Sequence, residues 1–321
     1  MNNIFANIQG DKTLWAVLIL LAGFSFLPVY SAASNLAYVS GSGNTFNYLF
    51  KHFIHLSLGF TFMYLMQKIP YHYFRGISIL MIPVVIVLLL YTIFQPSVTD
   101  SLTNTNRWIK IPFVGFTFQP STLAGVILMI YVSRYLAKIK DIDVRFSQTI
   151  LPLWIPTLFI LLLILPANFS TTAIIFSMVI LLCFVGGYPI KHLLGIVLSG
   201  ILVLSIFILT IKAYPEIFPN RVDTWKSRIE NFVNKENTTE NYQIEKAKIA
   251  IATGGVRGLG PGKSVQKNFL PQSSSDFIFA IIIEEYGLIG GLFLLTVYAL
   301  FLLRIIIISN KAESVFGSLL V

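Results

Sequence analysis

Asp276 is the residue whose type and position point most directly to chemistry. It follows Ser273–Ser275 and precedes Phe277, at the junction between a polar segment and a long apolar run. A carboxylate in such a place can act as a general base that takes a proton from a hydroxyl nucleophile. It can also cap the helix that follows, because aspartate accepts hydrogen bonds from the amides of a first turn. The two interpretations are compatible, and both are kept as predictions.

Glu284 and Glu285 lie about two turns further along the same predicted helix. Paired acids in an apolar segment are costly unless they face a cavity or a partner. We expect them either to contact a basic residue of the preceding loop or to serve a structural role with a partner that this chain lacks.

The glycine-rich stretch Gly258–Ser264 (Gly-Leu-Gly-Pro-Gly-Lys-Ser) ends like a nucleotide-binding P-loop. That motif requires a glycine five residues before Gly262, where this chain has Arg257, and a preceding strand, which is not predicted. A P-loop is therefore rejected. The glycines are predicted to let the backbone turn tightly or approach a ligand closely.

The composition restricts the class of protein. Of the 321 residues, 55% are hydrophobic and 12% are charged, and the mean hydropathy is +0.77. These values exclude a soluble globular enzyme, a disordered chain and a coiled coil. The single cysteine, Cys183, excludes a disulfide scaffold and a cysteine metal cluster, and none of the four histidines forms a His-x-x-x-His or His-x-His pair. We expect an all-α polytopic membrane protein with no metal and no cofactor.

Eight apolar runs have the length that a membrane helix needs. They cover about 14–31, 52–67, 77–95, 121–138, 149–165, 169–187, 191–211 and 277–308. The last is long enough to be kinked or divided, with Gly287, Gly290 or Gly291 as the bend. Residues 311–321 are interpreted as the start of a ninth, truncated span. The chain is expected to form one membrane domain, 1–321, with about 8–9 transmembrane helices.

The basic residues predict the orientation of these spans. With the N-terminus in the cytoplasm, ten lysines and arginines lie in cytoplasmic loops and three in outer loops, a bias that sets topology. The long polar segment 212–276, between helices 7 and 8, is then extracytoplasmic. It carries ten basic and six acidic residues before Asp276. The excess of positive charge can attract anions, or the lysines can simply solvate a surface helix. Helices are predicted at Trp225–Phe232 and at Tyr242–Thr253, the second ended by Gly254.

One motif resembles a known family. Leu270-Pro271-Gln272-Ser273-Ser274-Ser275-Asp276-Phe277-Ile278-Phe279-Ala280, followed by Glu284-Glu285-Tyr286-Gly287, resembles the Leu-Pro-Glu-x-x-x-Asp-Phe-Ile-Phe and Glu-Glu-x-Gly motif of the SEDS family (shape, elongation, division, sporulation). Gly258–Lys267 is more similar to the division branch of that family than to its elongation branch. Further matches are Arg107-Trp108-Ile109, Gln119-Pro120-Ser121 and Tyr242-Gln243. The resemblance extends over the whole chain and its order of spans.

The resemblance implies a ten-helix enzyme of the bacterial inner membrane, at the division septum. It would polymerise lipid II, an undecaprenyl-pyrophosphate-linked disaccharide pentapeptide, into glycan strands. Its implied partners are a class B penicillin-binding protein, other divisome proteins and membrane lipids, with no nucleic acid. Asp276 falls on the family's essential loop aspartate. The substrate-binding residues expected beside it are Arg107, Lys110, Lys263, Gln119, Gly260, Ser264, Gln266, Glu284 and Glu285, of which the first three are candidates to offset pyrophosphate charge.

The chain departs from the family pattern at several positions. Thr122 and Gly125 stand where the family has a Glu and Lys pair, which indicates joint replacement of an ion pair. Asn168 stands where the family has Asp, and Gln272 replaces the motif glutamate, so the groove is expected to differ in detail. A lipid flippase and a non-catalytic division scaffold remain alternatives. A flippase should have polar groups on several spans, whereas here charge is concentrated in one outer loop and at Glu284 and Glu285.

Overall fold

The chain folds almost entirely into helices. The computed structural model describes residues 10–39, 45–95, 108–110, 117–140, 142, 144–213, 239–270 and 273–321. The helices are α1 (Lys12–Val39), α2 (Thr45–Met66), α3 (Phe74–Phe94), α4 (Pro120–Ile139), α5 (Phe146–Thr149), α6 (Ile155–Ile164), α7 (Phe169–Val185), α8 (Ile190–Ala213), α9 (Thr239–Gly254), α10 (Ile278–Asn310) and α11 (Val315–Leu320). A π-helical turn at Ile150–Trp154 joins α5 to α6. A two-residue antiparallel pair, β1 (Ile109–Lys110) and β2 (Thr117–Phe118), is a small exception to the predicted all-α class, which is confirmed.

All eight predicted spans are helical. Five segments of the described chain are long and apolar enough to cross a membrane, namely Lys12–Ser34, Tyr71–Phe94, Pro120–Ile139, Phe146–Ile164 and Ile278–Asn310. Helix α7 is apolar but, with 17 residues, shorter than these five. Helix α2 has the length, but Lys51, His52 and His55 lower its hydropathy. In the polar segment, α9 confirms the helix predicted at Tyr242–Thr253, whereas the one predicted at Trp225–Phe232 lies outside the described residues.

The chain divides into two compact units. The first comprises Met1–Ile69 and Ile211–Ile307, and the second comprises Pro70–Thr210 and Ile308–Val321. In the first, α1 packs along α2, with the rings of Trp15 and Phe60 stacked at 6.2 Å between centroids. Near the other end of the same helices, the hydroxyl of Ser25 is hydrogen-bonded to Nε2 of His52 at 2.8 Å.

The second unit has an apolar core formed mainly by α3, α4, α6 and α7. Val85, Leu128, Val132 and Ile160 are fully buried in it. The C-terminal tail, which was expected to begin a ninth span, forms the short helix α11 and packs on α4. The buried ring of Phe316 anchors α11, because an aromatic ring removes a large apolar area from solvent.

Candidate active site at the break in helix α10

Helix α10 is broken at Gly287, whose φ of +70° and ψ of −173° lie outside the helical region. The bend predicted at one of three glycines is confirmed, and Gly287 is the residue at which the helix breaks. An unbroken helix would pair the amides of Leu288 and Ile289 with the carbonyls four residues earlier. Instead, all four groups bond to the segment that follows α9. The amide-to-carbonyl bonds run from Leu288 to Gly255 (2.9 Å), from Ile289 to Val256 (3.3 Å), from Leu259 to Glu284 (2.9 Å) and from Gly260 to Glu285 (2.9 Å).

Three glycines make this close approach possible. A Cβ atom on Gly254 would lie 2.1 Å from the carbonyl oxygen of Ile283, and one on Gly258 would lie 2.3 Å from that of Glu285. A Cβ atom on Gly287 would lie 2.3 Å from the carbonyl oxygen of Val256. Because main-chain atoms cannot move aside as a side chain can, each position excludes any larger residue. The glycines therefore permit close approach as predicted, but to the protein's own backbone.

The carboxylate of Glu284 is completely buried and receives hydrogen bonds from the glycine-rich loop. The hydroxyl of Ser264 donates to Oε2, and the amide of Val265 donates to Oε1 at 3.0 Å. The amide of Gln266 lies 3.3 Å from each carboxylate oxygen. Several donors compensate for the loss of hydration that burial imposes on a charge. Glu284 thus fixes the glycine-rich loop at Ser264, Val265 and Gln266.

Glu285, the next residue in the chain, is 1% exposed and also binds the glycine-rich loop. Its Oε1 accepts the amide of Ser264 at 3.3 Å and the hydroxyl of Ser31 on α1. The ammonium group of Lys267 donates to the hydroxyl of Ser31 at 3.1 Å and to the carbonyl of Gly262 at 2.8 Å. The glutamates do contact the loop, but the expected basic partner is wrong: the contacts are made by main-chain amides and by the hydroxyl of Ser264.

Asp276 is exposed and lies in the turn directly before α10. Helix α10 begins at Ile278, whose amide donates to the carbonyl of Ser275 at 3.3 Å, and the amides of Ala280 and Ile281 donate to the carbonyl of Phe277. The prediction that Asp276 caps this helix is wrong, because no amide of the described first turn donates to its carboxylate. Its carboxylate has no hydrogen bond to any described residue.

The other predicted site residues divide into two groups. In the loop, Lys263 presents an exposed side chain, whereas the main chain of Gly260 and the side chain of Ser264 are turned to Glu285 and Glu284. The amide oxygen of Gln266 is also buried. Gln119 precedes α4 in the second unit, Lys110 is described only as backbone of β1, and Arg107 lies outside the described residues.

Two residues of the site were not predicted. Ser31 is a single hydroxyl within the apolar run of α1, and it is 3% exposed beside the equally buried Ala32 and Ala33. Lys267 was included among the loop's basic residues and at the end of the Gly258–Lys267 stretch, but it was not predicted as a site residue. Small residues next to a serine in a membrane helix often mark close packing, which is the one signal that pointed to this position.

The comparisons with known proteins begin with a family model. The model described as cell cycle protein, of the FtsW, RodA and SpoVE type, matches residues 11–321. This chain is a member of that family, the SEDS proteins. The probable peptidoglycan glycosyltransferase FtsW of Marinomonas mediterranea is 31% identical over 313 residues, which cover 96% of this chain and 73% of that protein. The relative of the same name from Coxiella burnetii is 28% identical, covering 96% of this chain and 81% of its own length.

Solved SEDS structures share the fold. A chain from a peptidoglycan synthase complex, solved to explain the coordination of polymerisation and crosslinking, superposes with a TM-score of 0.68 at 19% identity and covers 98% of this chain and 82% of its own length. The rod shape determining protein RodA of Thermus thermophilus gives a TM-score of 0.62 at 19% identity, covering 98% of this chain and 79% of that one. The FtsW-type relatives confirm the predicted similarity to the division branch of the SEDS family.

The departures from the SEDS pattern have local structural counterparts in the second unit. Gly125 on α4 faces Ile175 of α7, and a Cβ atom on the glycine would lie 3.4 Å from that side chain. An apolar contact therefore takes the place of a charged residue. The side chain of Asn168 caps α7 by accepting the amide of Thr171 at 3.2 Å, a role that Asn fills as well as Asp.

Proposed function

We propose that this SEDS protein is a peptidoglycan glycosyltransferase that polymerises lipid II during septal wall synthesis. The observation that carries the proposal is the exposed Asp276 carboxylate, with no hydrogen-bond partner among the described residues, at the end of a loop anchored to buried glutamates. Its relatives from Marinomonas mediterranea, Coxiella burnetii and Geobacter sulfurreducens bear the name probable peptidoglycan glycosyltransferase FtsW over nearly the whole chain.

The chemistry assigned to Asp276 is general-base catalysis. Chain extension requires an acceptor hydroxyl to attack an anomeric carbon whose leaving group is a lipid pyrophosphate. A carboxylate that accepts the hydroxyl proton typically accelerates such a step 10²–10⁴-fold. Because no described donor occupies the carboxylate of Asp276, its oxygens are free to accept that proton.

The departing pyrophosphate needs positive charge from side chains. The loop amides of Ser264, Val265 and Gln266 already bind the buried carboxylates, so they are not available to an anion. Lys263 is exposed on the same loop, and it is our candidate within the first unit for contacting the pyrophosphate. Arg107 and Lys110 remain candidates from the sequence.

We assign Glu284 and Glu285 to positioning the loop instead of contacting lipid II. Their side chains are 0% and 1% exposed and are covered by the loop itself. Ser264 and Gln266 belong to the same internal network, and Gly260 joins it through its main chain. Positioning of this kind restricts a reactive group to its productive geometry without touching substrate.

The proposed orientation places the N-terminus in the cytoplasm and segment 212–276 outside a multi-pass membrane protein. The contact between Asp11 and Arg304 places the start of α1 and the far end of α10 on one side of the membrane, as this orientation requires; the Lys and Arg bias supports the choice of the cytoplasmic side. Lipid II and a class B penicillin-binding protein are the proposed substrate and partner. The similar chain that comes from a peptidoglycan synthase complex supports a partner of this kind.

The test is polymerisation of labelled lipid II by the purified protein with its cognate penicillin-binding protein. Asp276→Asn removes the proton acceptor with almost no change in size, so we expect the rate to fall by about 10²-fold or more. Glu245→Gln makes the same chemical change at an exposed acid of α9 and should leave the rate unchanged. Glycan synthesis by Asp276→Asn at the wild-type rate would overturn the catalytic assignment and favour a flippase or a scaffold.

A further inference from the structure

We propose that Ser31 and Lys267 are positioning residues of this site, coupling α1 to the glycine-rich loop through Glu285. The inference rests on the proposed function for its consequence, although its structural part is independent of any activity. Lys267 ends the stretch that resembles the division branch, whereas Ser31 belongs to no motif used for that resemblance and lies 254 residues from Glu285 in the chain.

The hydroxyl of Ser31 joins three elements at one atom. It donates its proton to Oε1 of Glu285 on α10 and accepts a hydrogen bond from Nζ of Lys267 at 3.1 Å. The same ammonium group donates to the carbonyl of Gly262 at 2.8 Å. Lys267 therefore ties the glycine-rich turn to α1, and Ser31 ties both to α10.

The network also has an electrostatic role. Glu284 and Glu285 are adjacent and buried, so two carboxylates are brought close together away from water. Glu284 is surrounded by loop donors, whereas Oε2 of Glu285 has no hydrogen bond within the described part of the chain. Lys267 brings a positive charge to Glu285 through the hydroxyl of Ser31. Loss of that hydroxyl removes a donor from Glu285 and breaks its link to the cation.

The anchoring determines where Asp276 can lie. Ser264 is hydrogen-bonded to Glu284 and Glu285, and the chain that continues from Ser264 through Asp276 reaches the same glutamates again within α10. Residues 264–284 thus form a loop closed by hydrogen bonds, with Asp276 within it. If the hydrogen bonds that hold the loop to Glu284 and Glu285 weaken, the carboxylate of Asp276 samples more positions. The transition state then loses more stabilisation than the bound substrate does, because it depends more on the exact position of the general base.

The test combines hydrogen exchange and kinetics on the full chain in lipid nanodiscs with its penicillin-binding protein. Ser31→Ala and Lys267→Met are the test variants, and the double variant completes a cycle. Ser34→Ala is the matched control, because among the described residues the hydroxyl of Ser34 bonds only to the carbonyl of Ser31 on the same helix, one turn back. Amide exchange is followed in the peptide containing 264–267, and kcat and KM are measured with labelled lipid II.

We expect each single variant to raise amide exchange at 264–267 and to lower kcat by about tenfold, the effect of one lost hydrogen bond to a charged group. KM should stay within about twofold. The double variant should be no worse than Ser31→Ala, because both changes break one linkage. Ser34→Ala should match wild type in both measurements.

Three results would overturn the inference: unchanged exchange at 264–267 in Ser31→Ala, additive effects in the double variant, or a loss through KM alone. If the wild type does not polymerise lipid II, the proposed function fails while the exchange data still decide whether Ser31 and Lys267 anchor the loop. If Asp276→Asn is inactive but shows normal exchange at 264–267, the loss is due to the missing carboxylate and not to a loosened loop.

Discussion

Gly258 and Gly287 meet main chain to main chain where helix α10 breaks. A Cβ atom built on either residue would lie 2.5 Å from the amide nitrogen of the other. Both have positive φ, +78° and +70°, a region that side-chain-bearing residues rarely adopt. The two positions are therefore restricted by conformation and by space together. This contact lets the loop after α9 satisfy the hydrogen bonds that the helix gives up.

Alanine at these glycines should destabilise the protein strongly. Gly258→Ala or Gly287→Ala adds a methyl group against immovable backbone as well as left-handed strain, so we expect a loss of about 3 kcal/mol or more, or failure to fold. Gly262→Ala is the control, because its φ is +77° but nothing lies within 4 Å of its Cβ position. It should cost only the strain, about 1–2 kcal/mol. Thermal unfolding in detergent measures all three, and equal losses at Gly262 and Gly287 would contradict the close contact.

Glu284→Gln should loosen the loop even though it keeps the size of the side chain. The carboxylate accepts from one hydroxyl and two amides, and a glutamine would turn its NH₂ group toward some of these donors. A buried donor left unpaired costs about 1–3 kcal/mol. The melting temperature should fall, and proteolysis within 258–267 should become faster. The control Glu313→Gln changes an exposed acid and should alter neither the melting temperature nor the rate of proteolysis. A Glu284→Gln variant that keeps the wild-type melting temperature and a loop protected from proteolysis would refute the anchoring role.

The ion pair between Asp11 and Arg304 predicts an acid-dependent loss of stability. Nη2 of Arg304 lies 2.5 Å from Oδ2 of Asp11, and this hydrogen bond lowers the pKa of Asp11 from 3.8 to about 2. Because the pKa is lowered in the folded state, the stabilisation is complete above pH 4 and disappears as the pH falls from about 4 to about 2. The pair is partly exposed, so solvent screens it and its contribution to the free energy of unfolding is small.

Asp11→Asn isolates this contribution. The oxygen of asparagine can still accept the amide of Leu14, as Oδ1 of Asp11 does at 3.0 Å, so the cap of α1 is preserved while the charge is lost. Melting temperatures of the two proteins should differ slightly at pH 7 and converge near pH 2. A difference that persists unchanged at pH 2 would assign the effect to something other than the charge.

The orientation can be tested by cysteine labelling in a Cys183→Ala background. Asn268 is exposed on the loop, unlike Ser273, which is 1% exposed and would be a poor labelling site. We expect Asn268→Cys to react with a membrane-impermeant thiol reagent in intact spheroplasts. Lys311→Cys, exposed after α10, should react only after lysis. The reverse pattern would place the loop in the cytoplasm and separate Asp276 from the proposed site of glycan synthesis.

The sequence alone determined the features that depend on local pattern. Continuous apolar runs predicted eight helical segments, and the glycine that ends α9 and the bend at Gly287 were both predicted from residue type. These predictions succeed because the formation and the interruption of a helix depend on residues within about one turn along the chain. The motif around Asp276 predicted the family for the same reason, since its residues are nearly consecutive.

The tertiary structure decided what the chemical groups bind. The sequence shows that Glu284 and Glu285 need partners, but not that these are the amides of 264–266 and the hydroxyl of Ser31. It also allowed Asp276 to be a helix cap, whereas the turn leaves its carboxylate exposed. Hydrogen-bond partners far apart in the chain are set by the approach of whole elements. Here that approach depends on main chain meeting main chain at three glycines, which no local pattern specifies.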